Sequence, residues 1–121
     1  KSLGSEWRQY EEIFPKLQQS NIDIVSLECH NSRVPVELIE LLRGKKVMVG
    51  AIDVASDIIE TPEEVAATIR EALKYVDADK LIPCTNCGMA PQSRDIARAK
   101  LRALSAGAAI VREEISAACT R

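Results

Sequence analysis

The chain has 121 residues, 46% of them hydrophobic and 28% charged, with a formal net charge of −2. That is long enough for one domain with a real core, too apolar to stay disordered, and too weakly charged to favour nucleic acid or an anionic membrane. No apolar run approaches the roughly 20 residues of a membrane span, and no secretory signal pattern is read. Four cysteines are too few for a disulfide scaffold. Without a signal they point to reduced, metal-binding or redox thiols in a cytoplasmic protein.

The first helix is expected over residues 5–19. Ser5 suits an N-cap, and Trp7, Tyr10, Phe14 and Leu17 recur at steps of three and four, one apolar stripe that reads as core packing. Pro15 removes a ladder hydrogen bond, so a kink or two shorter helices are expected there. A strand follows over 22–29. Ile22, Ile24, Ser26 and Glu28 share one face and Val25, Leu27 and Cys29 the other, which predicts burial on both sides, as in a helix-covered parallel sheet. Asn31-Ser32-Arg33 is a polar loop. The next helix starts near Pro35, carries Leu38, Leu41 and Leu42, and stops at Gly44.

The second strand spans 47–53, nearly all apolar and ending in Asp53. After a loop, Thr61-Pro62-Glu63-Glu64 is a strong helix start, with Thr as cap, Pro at the first position and Glu three residues after the cap. The third strand covers 80–83, and Pro83, which cannot donate to the ladder, marks its end. Ser93 opens a last helix with the stripe Ala97, Leu101, Leu104, Ala108, Val111 and Ile115, its alanines suited to close packing. The order is α, then three β-α units, which implies parallel strands with right-handed crossovers. A (β/α)8 barrel takes about 250 residues and eight such units. A three-stranded parallel sheet would leave two bare edges. The chain is therefore expected to be the C-terminal part of a barrel, residues 1–121 forming a single fragment that self-associates when isolated.

The chemistry gathers at the strand tips, where parallel α/β folds build their sites. Cys84 and Cys87 form a Cys-x-x-Cys pair followed by Gly88, and Glu28-Cys29-His30 and Asp53 end the other strands. The pair suits a redox dithiol, though four residues separate it from the next helix, or two ligands of a zinc site. A free cysteine also packs as a small apolar group. Glu28 lies where a buried run ends, so a metal, Arg33, Arg94 or a polar substrate must compensate it. His30, the one histidine, is a ligand or a solvated loop residue. Asp53 binds a substrate amine or caps the loop behind it. Cys119 lies in a polar tail with no evident role.

With Glu28 and Cys87 in view together, the chain resembles the C-terminal end of the catalytic barrel of cobalamin-independent methionine synthases. The segments that carry the resemblance are Ile24 to Arg33, Val49 to Ser56, and Cys84-Thr85-Asn86-Cys87-Gly88-Met89. The resemblance implies a zinc ion held by a His-x-Cys motif, a glutamate and a second cysteine. Glu28 and Cys87 fall on the last two, whereas nothing before Glu28 matches the first. Cys84 and His30 match no ligand position. The family's loop histidine falls on Ala55, which leaves open whether the methyl donor is a methylfolate or another carrier. The implied partners are a small-molecule thiol such as homocysteine and a methyl donor.

Overall fold

The computed structural model describes residues 9–32 and 34–119. Its elements run α1 (Gln9–Gln18), β1 (Ile24–Glu28), a 3-10 helix (Val36–Leu42), β2 (Lys46–Ile52), α2 (Pro62–Ala72), a 3-10 turn (Ala78–Lys80), β3 (Leu81–Thr85) and α3 (Arg94–Cys119). The strands form one parallel sheet in the order β1-β2-β3. This is the expected α/β fold: three consecutive β-α units of a (β/α)8 barrel. Ser5 and Trp7 lie outside the described residues.

Local chemistry explains most boundaries. Thr61 Oγ1 accepts from the Glu64 backbone N–H at 3.1 Å, and Pro62 opens α2 where its missing N–H costs nothing. Ser93 caps α3 through the Ile96 N–H at 3.3 Å. Gly44 follows the 3-10 helix at φ +86°, a conformation glycine adopts without a Cβ clash. The segment from Val36 winds as 3-10 rather than α.

Two apolar clusters hold the layers together. Leu27, Val47 and Val49 on one face of the sheet pack with Phe14, Leu38, Ile39 and Leu42. Ala51 and Ile52 pack with Val65, Ala66 and Ile69 of α2 and Ala103 and Val111 of α3. A Cβ on Gly107 would lie 2.5 Å from Val65 Cβ, so α3 approaches α2 closely enough to require glycine there.

Five expectations need correction. Of the kink or division expected at Pro15, the division does not occur: α1 continues through it as one helix, and Pro15 is exposed, where the lost donor is tolerated. β1 is buried on one side only: Leu27 is covered, whereas Ile24, Ser26 and Glu28 are exposed. Their face is the one that points into a barrel, and the chain carries only three of its strands. Pro83 does not end β3, which continues through Cys84 to Thr85. Pro83 pairs with Val49 in an edge strand, where a missing donor can face away from the ladder. In α3 the buried positions are Lys100, Ala103, Gly107 and Val111, and Leu101 is 47% exposed. Small residues, not the large apolar ones, line the tightest contact. Cys119 is the last residue of α3 rather than part of a tail, and it is exposed.

Candidate functional site

The strand register sets what meets at the C-terminal rim. Glu28 pairs with Gly50 and Gly50 with Cys84, so these three form one row across the sheet. Paired residues in a parallel ladder point the same way, and the row lies on the open face with Ser26, Met48 and Ile82. Glu28 is the last residue of β1, Asp53 the first beyond β2, and Cys87 lies two residues beyond β3. All three reach the same rim.

Two of them are open donors. The Glu28 carboxylate is exposed and has no hydrogen-bond or ion-pair partner among the described residues. The Cys87 thiol is exposed as well. Its backbone is not loose, because Thr85 Oγ1 donates to the Cys87 carbonyl at 2.8 Å. The other thiols differ. Burial pushes Cys29 up to about 11, helped by neighbouring Cys84 and opposed by the Gly50 backbone. Burial also raises Cys84, against a hydrogen bond with Ser26. Both stay protonated thiols near neutral pH. Cys84 and Cys87 therefore occupy unlike environments, one inside a strand and one on a loop.

Asp53 belongs to a second grouping, of which the sequence pointed to Asp53 and His30 but not to Glu60 or Lys100. Its carboxylate accepts the Ala55 N–H at 2.8 Å and the Asn31 side-chain N–H at 3.3 Å. The Ala55 bond is the main reason it titrates below the usual aspartate range. This is the loop-capping alternative in physical form. Behind it lies a buried ion pair. Lys100, with no exposed surface, donates to Glu60 Oε1 at 2.8 Å, to the Asp53 carbonyl at 2.9 Å and to the Ile58 carbonyl at 2.7 Å. Glu60 Oε2 accepts the Asp53 N–H at 2.7 Å and lies 3.8 Å from His30 Nε2. Burial disfavours the Glu60 charge, but the bonds from Lys100 and Asp53 outweigh it and hold its pKa below the ordinary value. His30 thus turns to Glu60 rather than joining Glu28. His30, Asn31, Asp53, Ser56 and Glu60 line a cavity of about 140 Å³.

A zinc ion would find part of a ligand set here. A carboxylate and a thiol without protein partners are donors that zinc takes. Among the described residues no group of three His, Cys, Asp or Glu converges on one point. Glu28 and Cys87 are of the donor types that zinc takes, but two donors are fewer than the four of a usual zinc site. No helix among the described residues is long and apolar enough to cross a membrane.

Comparison with known proteins identifies the family. A 2-hydroxypropyl-CoM lyase of Xanthobacter autotrophicus is 36% identical over 113 residues, 88% of this chain and 30% of the relative. A methionine synthase of Saccharolobus islandicus is 36% identical over 110 residues, 88% of this chain and 33% of the relative. The solved structure of a B12-independent methionine synthase from a Shewanella species, in complex with selenomethionine, superposes with a TM-score of 0.92 at 76% identity. It matches over 96% of this chain and 34% of that one. The chain spans about a third of the length of these relatives. The model of the cobalamin-independent synthase catalytic domain matches residues 7–109, and the chain belongs to that family.

Proposed function

We propose that the chain is the C-terminal portion of a cytoplasmic, zinc-dependent methyltransferase that methylates a thiol such as homocysteine, forming methionine. The observation that carries the reading is a pair of exposed donors, Glu28 and Cys87, with no side-chain partner among the described residues, at one rim of a sheet that belongs to the cobalamin-independent synthase family. Among the described residues the buried charges near that rim, Glu60 and Lys100, are paired with each other, which supports the choice of Glu28 and Cys87 as the ligands. Zinc, when bound, would favour the thiolate of a substrate thiol near neutral pH and so make it nucleophilic.

The chain's own residues do the rest of the work argued for here. Glu28 and Cys87 supply two ligands, and upstream residues of the intact enzyme supply the others. Asp53 faces the cavity beside His30 with a carboxylate held ionised, suited to a substrate amino group. The methyl donor is a methylfolate or another carrier, because Ala55 offers no side-chain proton where the family's histidine is expected. The isolated chain is expected to be inactive and to self-associate through its open sheet face.

The test is zinc stoichiometry of two variants of the intact protein. Cys87→Ser should lose zinc and methyl transfer, since a neutral hydroxyl replaces a thiolate poorly. Cys84→Ser should keep zinc, because that thiol is half-buried in β3. Equal losses would transfer the site to the paired thiols and retire this reading.

A further inference from the structure

We infer that Asn86 is a positioning residue for Cys87, working as a clamp laid across the bare backbone of Gly50. The inference rests on the assignment of Cys87 as a ligand. β3 is separated from β1 by β2, so a ligand following β3 must be carried back across the sheet to meet Glu28. Asn86 makes that crossing. Its backbone N–H donates to the Ile52 carbonyl at 2.9 Å, and its side-chain Nδ2 donates to the His30 carbonyl at 2.8 Å. One residue thus joins the loop after β3 to β2 and to the loop after β1. The far end is fixed as well, because the His30 N–H donates to the Gly50 carbonyl at 2.8 Å.

The crossing is possible only because position 50 has no side chain. A Cβ there would lie 2.3 Å from Asn86 Oδ1 and 2.9 Å from Asn86 Cα. Gly50 pairs with both Glu28 and Cys84, so the gap opens in the middle of the candidate site. The amide orientation follows from the contact, since only the nitrogen can donate to a carbonyl. Asn86 Oδ1 is then buried without a hydrogen-bond partner. An unpaired buried acceptor is unfavourable, so the amide is retained for what its nitrogen holds. Cys87 follows directly, its carbonyl tied to Thr85 and its thiol free. A fixed backbone beneath a free donor atom is what a preorganised ligand requires.

The experiment uses the intact enzyme with zinc added, reading zinc affinity by chelator competition and the melting of the zinc-free protein. Asn86→Ala should weaken zinc binding by about tenfold or more, the size found for residues that orient metal ligands. The zinc-free protein should melt within about 2–4 °C of the parent. Gly50→Ala, which keeps the amide but fills its seat, should weaken zinc in the same way. The double variant should be no worse than the weaker single one, because both changes break one contact. Should Asn86→Ala not fold, Asn86→Ser carries the test, keeping a polar atom too short to reach His30. Zinc affinity within threefold of the parent in the single variants, or fully additive losses, would overturn the clamp. Cys87→Ser separates the two levels. If it retains zinc, the ligand assignment fails and the clamp with it; if it loses zinc while Asn86→Ala does not, only the clamp fails.

Discussion

Glu60 and Glu28 are both carboxylates at the C-terminal rim of one small sheet, and they are treated in opposite ways. Glu60 is 4% exposed, and its two oxygens are taken by Lys100 and by the Asp53 N–H. Glu28 is exposed and has no partner among the described residues. A charge removed from water has to be paired and hydrogen-bonded or it destabilises the fold. The Glu60–Lys100 pair meets that condition, with each Glu60 oxygen holding one hydrogen bond and Lys100 Nζ donating three. It ties the loop between β2 and α2 to α3 and so sets where Asp53 stands. Glu28 and Cys87 keep their donor capacity free.

The comparison breaks most visibly at Lys100. Lys100→Met should destabilise by about 3–5 kcal/mol, because it leaves the Glu60 carboxylate buried and uncompensated along with two carbonyls that lose a donor. Denaturant unfolding of the intact protein measures it. A double change, Lys100→Met with Glu60→Gln, should recover part of the loss. If Lys100→Met costs under about 1 kcal/mol, the size of an exposed pair, the pair is not the structural element described.

Acid should sharpen the same contrast. The folded pKa of Glu60 lies below its ordinary value of 4.5, and that of Asp53 below 3.8. A depressed folded pKa contributes stability above the unfolded pKa and loses it as pH falls through the folded one. Stability should therefore hold above about pH 4.5 and decline below it. In Lys100→Met, burial acts on Glu60 with only backbone N–H bonds left to oppose it, so its pKa should rise and the loss of stability in mild acid should shrink or reverse. Parallel pH curves for parent and variant would contradict this.

The difference between the two groupings also explains what was legible beforehand. Caps and turns act over a few residues, so Thr61 with Glu64 and the stop at Gly44 were readable from order alone. The strand order followed from the repeated β-α units. Lys100 was hidden because it stands among exposed charges such as Arg102 on α3, and its partner Glu60 is 40 positions away. The periodicity of large apolar residues favoured Leu101, whereas Ala103 and Gly107 let α3 approach α2 with the adjoining face. The open side of β1 was hidden for another reason. Its alternation looks like a strand covered on both faces, and exposure depends on strands that this chain does not carry. Glu28 and Cys87 were named because they fall on the residues that the resemblance singles out; their lack of side-chain partners among the described residues is visible only in the fold.

The smallest expected effect lies at Glu28. Glu28→Gln should change the stability of the metal-free protein by no more than about 0.5 kcal/mol, as an exposed residue without partners has no contact to lose. The substitution preserves shape while removing the charge and exchanging one acceptor oxygen for an amide donor, so packing does not enter. Removing one carboxylate from a strand tip relieves no like-charge contact either, because no acidic neighbour is bonded to it among the described residues. Zinc retention should nevertheless fall, since a neutral amide is a poorer ligand than a carboxylate. A stability change of 2 kcal/mol or more would mean that Glu28 holds the fold together as Glu60 does. The division between a satisfied scaffold and an open site would then fail at the residue on which it depends most.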